Sequence, residues 1–95
     1  MPEEKKLVGK VTHYYNKIGV AVVELEDSLK IGDEISIEGK TTNFRQKVES
    51  MQIEHNPIQE AKAGDVIGLK VIDRVREGDL VYKVIPTEDL SPEEA

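Results

Sequence analysis

Apolar and polar positions along this chain alternate in short bursts of strand length. Residues 7–15 hold Leu7, Val8, Val11, Thr12, Tyr14 and Tyr15, a β-branched and aromatic bias that fits a pleated surface. Asn16-Lys17 is turn-like, and residues 18–25 resume with Ile, Val, Ala and Leu, so the pair is predicted as a hairpin. Polar residues 26–28 break it. Leu29-Lys30-Ile31-Gly32-Asp33 reads as a turn entry. Glu34-Ile35-Ser36-Ile37-Glu38 then alternates with period two, which sends Ile35 and Ile37 inward and leaves Glu34, Ser36 and Glu38 on a wet face.

Residues 39–43 are a polar loop and residues 44–55 a longer polar strand. Val48 lies on one parity of that strand, Met51 and Ile53 on the other, so a register change is predicted near Glu49-Ser50, the work of a β-bulge. Asn56-Pro57 ends the strand, because proline has no N–H to give a ladder. Residues 61–65 are a loop, with a single helical turn over 58–63 as the alternative. Residues 66–75 and 80–85 are the last strands, and Pro86 stops the pairing.

Six short strands without an amphipathic helix predict an all-β domain, and a six-stranded closed antiparallel β-barrel leaves no edge to protect. The barrel is expected over residues 7–86, after a flexible lead of residues 1–6 and before a disordered acidic tail of residues 87–95. Three corners repeat one pattern: Gly32-Asp33, Gly64-Asp65 and Gly78-Asp79 each stand just before a strand. Glycine supplies the tight turn, and aspartate is expected to cap it by accepting from a backbone N–H two residues on. These six residues are read as structural turns, not as acidic sites.

Composition narrows the chemistry. The 95 residues suffice for one small domain. Hydrophobic residues make up 38% and charged residues 34%, the balance of a globule with a charged surface. Phe44, Tyr14, Tyr15 and Tyr82 are all the aromatics, so the core must be aliphatic. Cysteine is absent, which removes disulfide and thiolate chemistry and suits a cytoplasmic protein. The longest apolar run, residues 18–23, is far short of the roughly 20 residues of a membrane span, so no membrane association is expected. The net charge is −6; Glu88, Asp89, Glu93 and Glu94 carry −4 of it, Glu3, Glu4, Lys5 and Lys6 cancel, and −2 is left for the remainder.

The ordered segments resemble a known barrel. Val8-Gly9-Lys10-Val11, residues 18–25, Leu29-Lys30-Ile31-Gly32-Asp33-Glu34-Ile35 and Val48-Glu49-Ser50-Met51 are similar to domain two of translational GTPases such as elongation factor Tu and initiation factor two. The match continues through Ala61-Lys62-Ala63-Gly64-Asp65-Val66-Ile67-Gly68-Leu69 and Val75-Arg76-Glu77-Gly78-Asp79-Leu80-Val81. The same segments resemble the accessory C-terminal domain of collagenase-like peptidases, a domain without protease chemistry. The first resemblance implies a stand-alone, translation-factor-like binding module that contacts RNA or the ribosome. The alternative to that reading is a protein-interaction module, an adaptor for a separate enzyme chain.

No catalytic residue is assigned. Gly64-Asp65-Val66-Ile67-Gly68-Leu69-Lys70 lacks the spacing of a phosphate loop and lies on a predicted strand, so no nucleotide is expected. His13 and His55 have no cysteine to join them and no metal-ligand spacing, so neither a metal nor another cofactor is expected. Ser28, Ser36, Ser50 and Ser91 lie in no nucleophile motif, and Ser36 reads as plain surface. The candidate binding residues are basic: Lys40, Arg45 and Lys47 around Phe44, with Arg74 and Arg76, after Lys70, along or just past the fifth strand. One face could then hold a phosphate backbone and stack a base. The competing protein-interaction reading requires an exposed apolar patch centred on Tyr15 or Tyr82.

Overall fold

The structure, a computed structural model, describes residues 3–86. The expected acidic tail, residues 87–95, lies outside the described residues. Ten strands follow in order: β1 (Glu3–Tyr15), β2 (Val20–Leu25), β3 (Leu29–Lys30), β4 (Glu34–Glu38), β5 (Asn43–Lys47), β6 (Met51–Ile53), β7 (Asn56–Ile58), β8 (Glu60–Ala61), β9 (Val66–Lys70) and β10 (Leu80–Pro86). No described helix is long and apolar enough to cross a membrane.

The all-β class holds, but the closed six-stranded barrel does not. Eight strands form one open antiparallel sheet in the order β5-β4-β10-β1-β2-β9-β6-β7, and β3 pairs with β8 in a second small sheet. The edges β5 and β7 are not joined by a ladder. Instead the Gln46 side chain of β5 reaches the end of β9, where its Nε2 donates to the Lys70 carbonyl at 2.8 Å and its Oε1 accepts from the N–H of Ile72 just beyond, at 2.8 Å.

Several expected elements move. Residues 3–6, expected as a flexible lead, are the first rungs of β1 against β10, from Glu3↔Pro86 to Lys6↔Lys83. Ile18 leaves the expected strand for a four-residue turn, since Tyr15 pairs with Val20 and Gly19 takes φ of 68°. The expected strand 44–55 is two strands in different parts of the sheet. No bulge shifts its register; the chain crosses over between Lys47 and Met51. Pro57 does not end a strand but sits inside β7, at the sheet edge, where its missing N–H costs no ladder bond. The expected strand 66–75 stops at Lys70, and residues 60–61 form β8 in place of a loop or helical turn. Ser36 is 1% exposed, not surface; it sits between Tyr82 and Arg45 of the neighbouring strands, and its hydroxyl donates to Glu38 Oε2 at 2.8 Å.

The three Gly-Asp corners share one bonding scheme. In each, the aspartate N–H donates to the carbonyl three residues back: Asp33 to Lys30, Asp65 to Lys62 and Asp79 to Arg76. The aspartate carboxylate accepts from the N–H of that same residue, at 3.1, 3.0 and 2.8 Å respectively. The cap therefore runs three residues back, not two on. Gly32, Gly64 and Gly78 take φ of 95°, 92° and 93°, the third-position geometry of a type II turn.

Each corner also docks on one core residue through two backbone bonds. Val48, Leu25 and Val11 each donate to the aspartate carbonyl and accept from the glycine N–H, all at 2.8–2.9 Å. The three docked residues are 2% exposed or less. The corners thus close polar backbone over an aliphatic core of Val8, Val23, Leu29, Ile35, Ile37, Met51, Ile67, Leu69 and Val81.

Candidate functional site

One surface of the large sheet faces the core and the other faces out. On β2 the inward residues are Ala21, Val23 and Leu25, and on β9 they are Ile67 and Leu69. The outward partners on these strands would ordinarily be polar. Here Val20, Val22 and Val66 take outward positions, so both strands carry apolar residues on two faces before the outward Glu24 and Lys70.

The result is an open groove of about 730 Å³ across β2, β9 and β6. Tyr15, Ile18 and Val66 line it at 50%, 59% and 51% exposure. Gly68 lies in its lining, where a Cβ would meet Gln52 Cγ at 3.2 Å and Val20 Cγ1 at 3.3 Å. The β6–β7 hairpin forms one lip. Its two-residue turn puts Glu54 and His55 at φ of 51° and 68°, the left-handed region that non-glycine residues enter at a cost of order 1 kcal/mol each. On the other side the Tyr15 ring meets the His13 ring edge-on at 4.3 Å, and His13 Nδ1 lies 3.2 Å from Glu77 Oε2. Tyr14, the neighbour of Tyr15, turns inward against the core.

The basic residues divide between two faces. Phe44 and Gln46 of β5 turn inward, while Arg45 and Lys47 point outward, and Arg45 lies 3.9 Å from Glu34. Phe44, Arg74 and Arg76 meet instead around a polar cleft of about 240 Å³ with Thr41, Thr42 and Asn43. Lys40 joins Arg76 and Thr41 in an adjoining cleft of about 350 Å³. The single basic face expected from the sequence is therefore split, with Lys40, Phe44, Arg74 and Arg76 around two adjoining clefts and Arg45 and Lys47 on the other face of β5. Among the described residues no group of three or more His, Cys, Asp or Glu side chains is placed to hold a metal ion.

The groove was legible in one respect. Residues 18–23 lack polar alternation, which marks a strand buried or apolar on both faces. Val66-Ile67-Gly68-Leu69 carries the same signal. Nothing in the sequence showed that the two strands would lie side by side.

No protein-family model matches the chain. It is 49% identical over 76 residues to an uncharacterised protease of Methanocaldococcus jannaschii, a match covering 79% of this chain and 19% of the relative. It is 39% identical over 88 residues to a collagenase of Porphyromonas gingivalis, covering 90% of this chain and 24% of the relative. The chain thus spans about a fifth to a quarter of the length of these curated relatives. Its fold superposes on the crystal structure of the C-terminal domain of a protein assigned as a U32 peptidase from Geobacillus thermoleovorans, with a TM-score of 0.77 and 25% identity, covering 82% of this chain and 91% of that one. These relatives lend no support to the resemblance to elongation factor Tu. They do support the resemblance to the accessory domain of collagenase-like peptidases: the chain's homologues are peptidases and collagenases, and the segment it matches in fold is a C-terminal domain.

Proposed function

We propose that this chain is a non-catalytic accessory module that docks, through the apolar groove, onto the catalytic portion of a U32-type peptidase. The groove carries the reading. Tyr15, Ile18 and Val66 leave a contiguous apolar surface in water on a domain whose other apolar face is already satisfied by its core. Such patches mark protein contacts. The partner follows from the relatives, in which the matched segment is a minor part of a protease or collagenase. Binding to RNA has no comparable support, since the basic residues do not form one stripe and the chain is net negative.

Gel filtration of the chain mixed with the Methanocaldococcus jannaschii relative lacking its matching segment tests the reading. The two are expected to co-elute with or without nuclease treatment, and Val66→Lys is expected to abolish co-elution. Separate elution of the unaltered proteins, or co-elution that only nuclease removes, contradicts it.

A further inference from the structure

We propose that the polar cleft between residues 41–44 and residues 73–76 binds a carboxylate of an acidic peptide segment, held by Arg74 and Arg76. The chain has three arginines, and two of them line this cleft. Arginine presents a planar fork of donors that matches a carboxylate bidentately.

Both arginines are presented on fixed backbone. The Arg74 N–H donates to Asp73 Oδ1 at 2.7 Å, and the Arg76 N–H donates to Asp79 Oδ2 at 2.8 Å. Val75 between them is 2% exposed and locked in the core, so the residues on either side are both turned to the surface. Opposite stands Phe44, half-buried against the core, with Thr41 and Asn43 beside it as neutral hydrogen-bonding groups. Two acids stand nearby: Asp73, whose Oδ1 accepts from the Arg74 N–H, and Glu77, whose Oε2 lies 3.2 Å from His13 Nδ1.

The same geometry argues for a peptide over a nucleic acid. A phosphate backbone needs a row of cations along its track. Here the row is Lys40, Arg74 and Arg76 and stops there, because Arg45 and Lys47 stand on the other face of β5. Asp73 and Glu77 at the clefts would repel a polyanion but tolerate one or two carboxylates. This cleft shares no lining residue with the apolar groove, so the two assignments stand or fall separately.

Fluorescence anisotropy of the full chain tests the proposal, with a labelled, C-terminally amidated Gly/Glu peptide, its Gly/Gln counterpart and a short oligouridylate as probes. The Glu peptide is expected to bind at least about tenfold more tightly than the Gln peptide. Arg74→Gln and Arg76→Gln should each weaken it about tenfold, Arg76→Lys less, and Lys70→Gln on β9 not at all, with the thermal midpoint unchanged in every variant. Equal binding of Glu and Gln peptides, tighter binding of oligouridylate, or affinity indifferent to both arginines overturns the proposal. So does the absence of Glu-peptide binding by the unaltered chain.

Discussion

The Gln46 side chain ties the edge strand β5 to the end of β9 where no ladder does: its Oε1 accepts the Ile72 N–H at 2.8 Å while its Nε2 donates to the Lys70 carbonyl at 2.8 Å. The bonds lie on either side of Val71, a core residue, so a side-chain amide stands in for a strand at this seam. Gln46→Met keeps the length and removes both bonds. It leaves a donor and an acceptor unpaired, and should cost about 1–3 kcal/mol in urea unfolding. Amide hydrogen exchange at Ile72 should accelerate in parallel. Unchanged stability and exchange would show that the seam is held by something else.

The third corner carries an unusually close approach. A Cβ placed on Gly39 would overlap the Asp79 carboxylate, which is itself 5% exposed and caps the Arg76 N–H. Gly39→Ala should therefore displace Asp79 and destabilise the domain by about 1–3 kcal/mol. Asp79→Ala should cost a similar amount through the lost cap. Because both changes break one contact, the double variant should cost clearly less than the two together. Additive losses in a denaturant series would contradict the contact.

Acid should weaken the fold through Glu38. The Lys5 ammonium and then the Ser36 hydroxyl hold its carboxyl below the ordinary carboxylate value. A depressed folded-state value means that stabilisation is present above the ordinary value and is lost as pH falls through the folded one. Asp27 is lowered in the same sense, by the Lys6 ammonium and the Ser28 N–H. Glu38→Gln should flatten the acid limb of a stability–pH curve, while its effect at neutral pH stays within about 1 kcal/mol, as for other partly exposed pairs. An acid limb identical to that of the parent would remove Glu38 from the account.

Groove substitutions should separate docking from folding. Val66 and Ile18 are more than half exposed, so Val66→Lys and Ile18→Lys should change stability by no more than about 0.5 kcal/mol. Both should nonetheless abolish partner binding. A large loss of stability would mean that these side chains support the sheet and not a contact.

The sequence was informative wherever a local rule dominated. Glu34-Ile35-Ser36-Ile37-Glu38 is the strand its alternation predicts, with Ile35 and Ile37 fully buried. It failed where pairing across the chain decided the outcome. Ser36 follows the polar parity of β4 yet is covered, because Tyr82 and Arg45 flank it in strands far off in sequence. Val48 and Met51 differ in parity because the chain crosses over between them, and Val48 spends both backbone groups on the Gly32-Asp33 corner. The closed barrel failed for a related reason. Periodicity marks six strands where the described residues form ten, and closure depends on whether the edge strands β5 and β7 pair; here they do not, and the Gln46 side chain of β5 bonds to the end of β9 and the residues just after it instead. Among the candidate contacts, Phe44, Arg74 and Arg76 converge because the start of β5 stands beside the segment after β9, whereas Arg45 and Lys47 lie on the other face by the two-residue period of a strand.

The central claim is that the groove is a docking face for a peptidase portion. Methyl chemical-shift mapping of the isotope-labelled chain, titrated with the Methanocaldococcus jannaschii relative lacking its matching segment, tests it most directly. The account predicts shifts concentrated on the methyl groups of Ile18, Val20, Val22 and Val66, with core methyls such as Val8 and Ile37 unmoved. Shifts absent altogether, or confined to residues outside the groove, would contradict it.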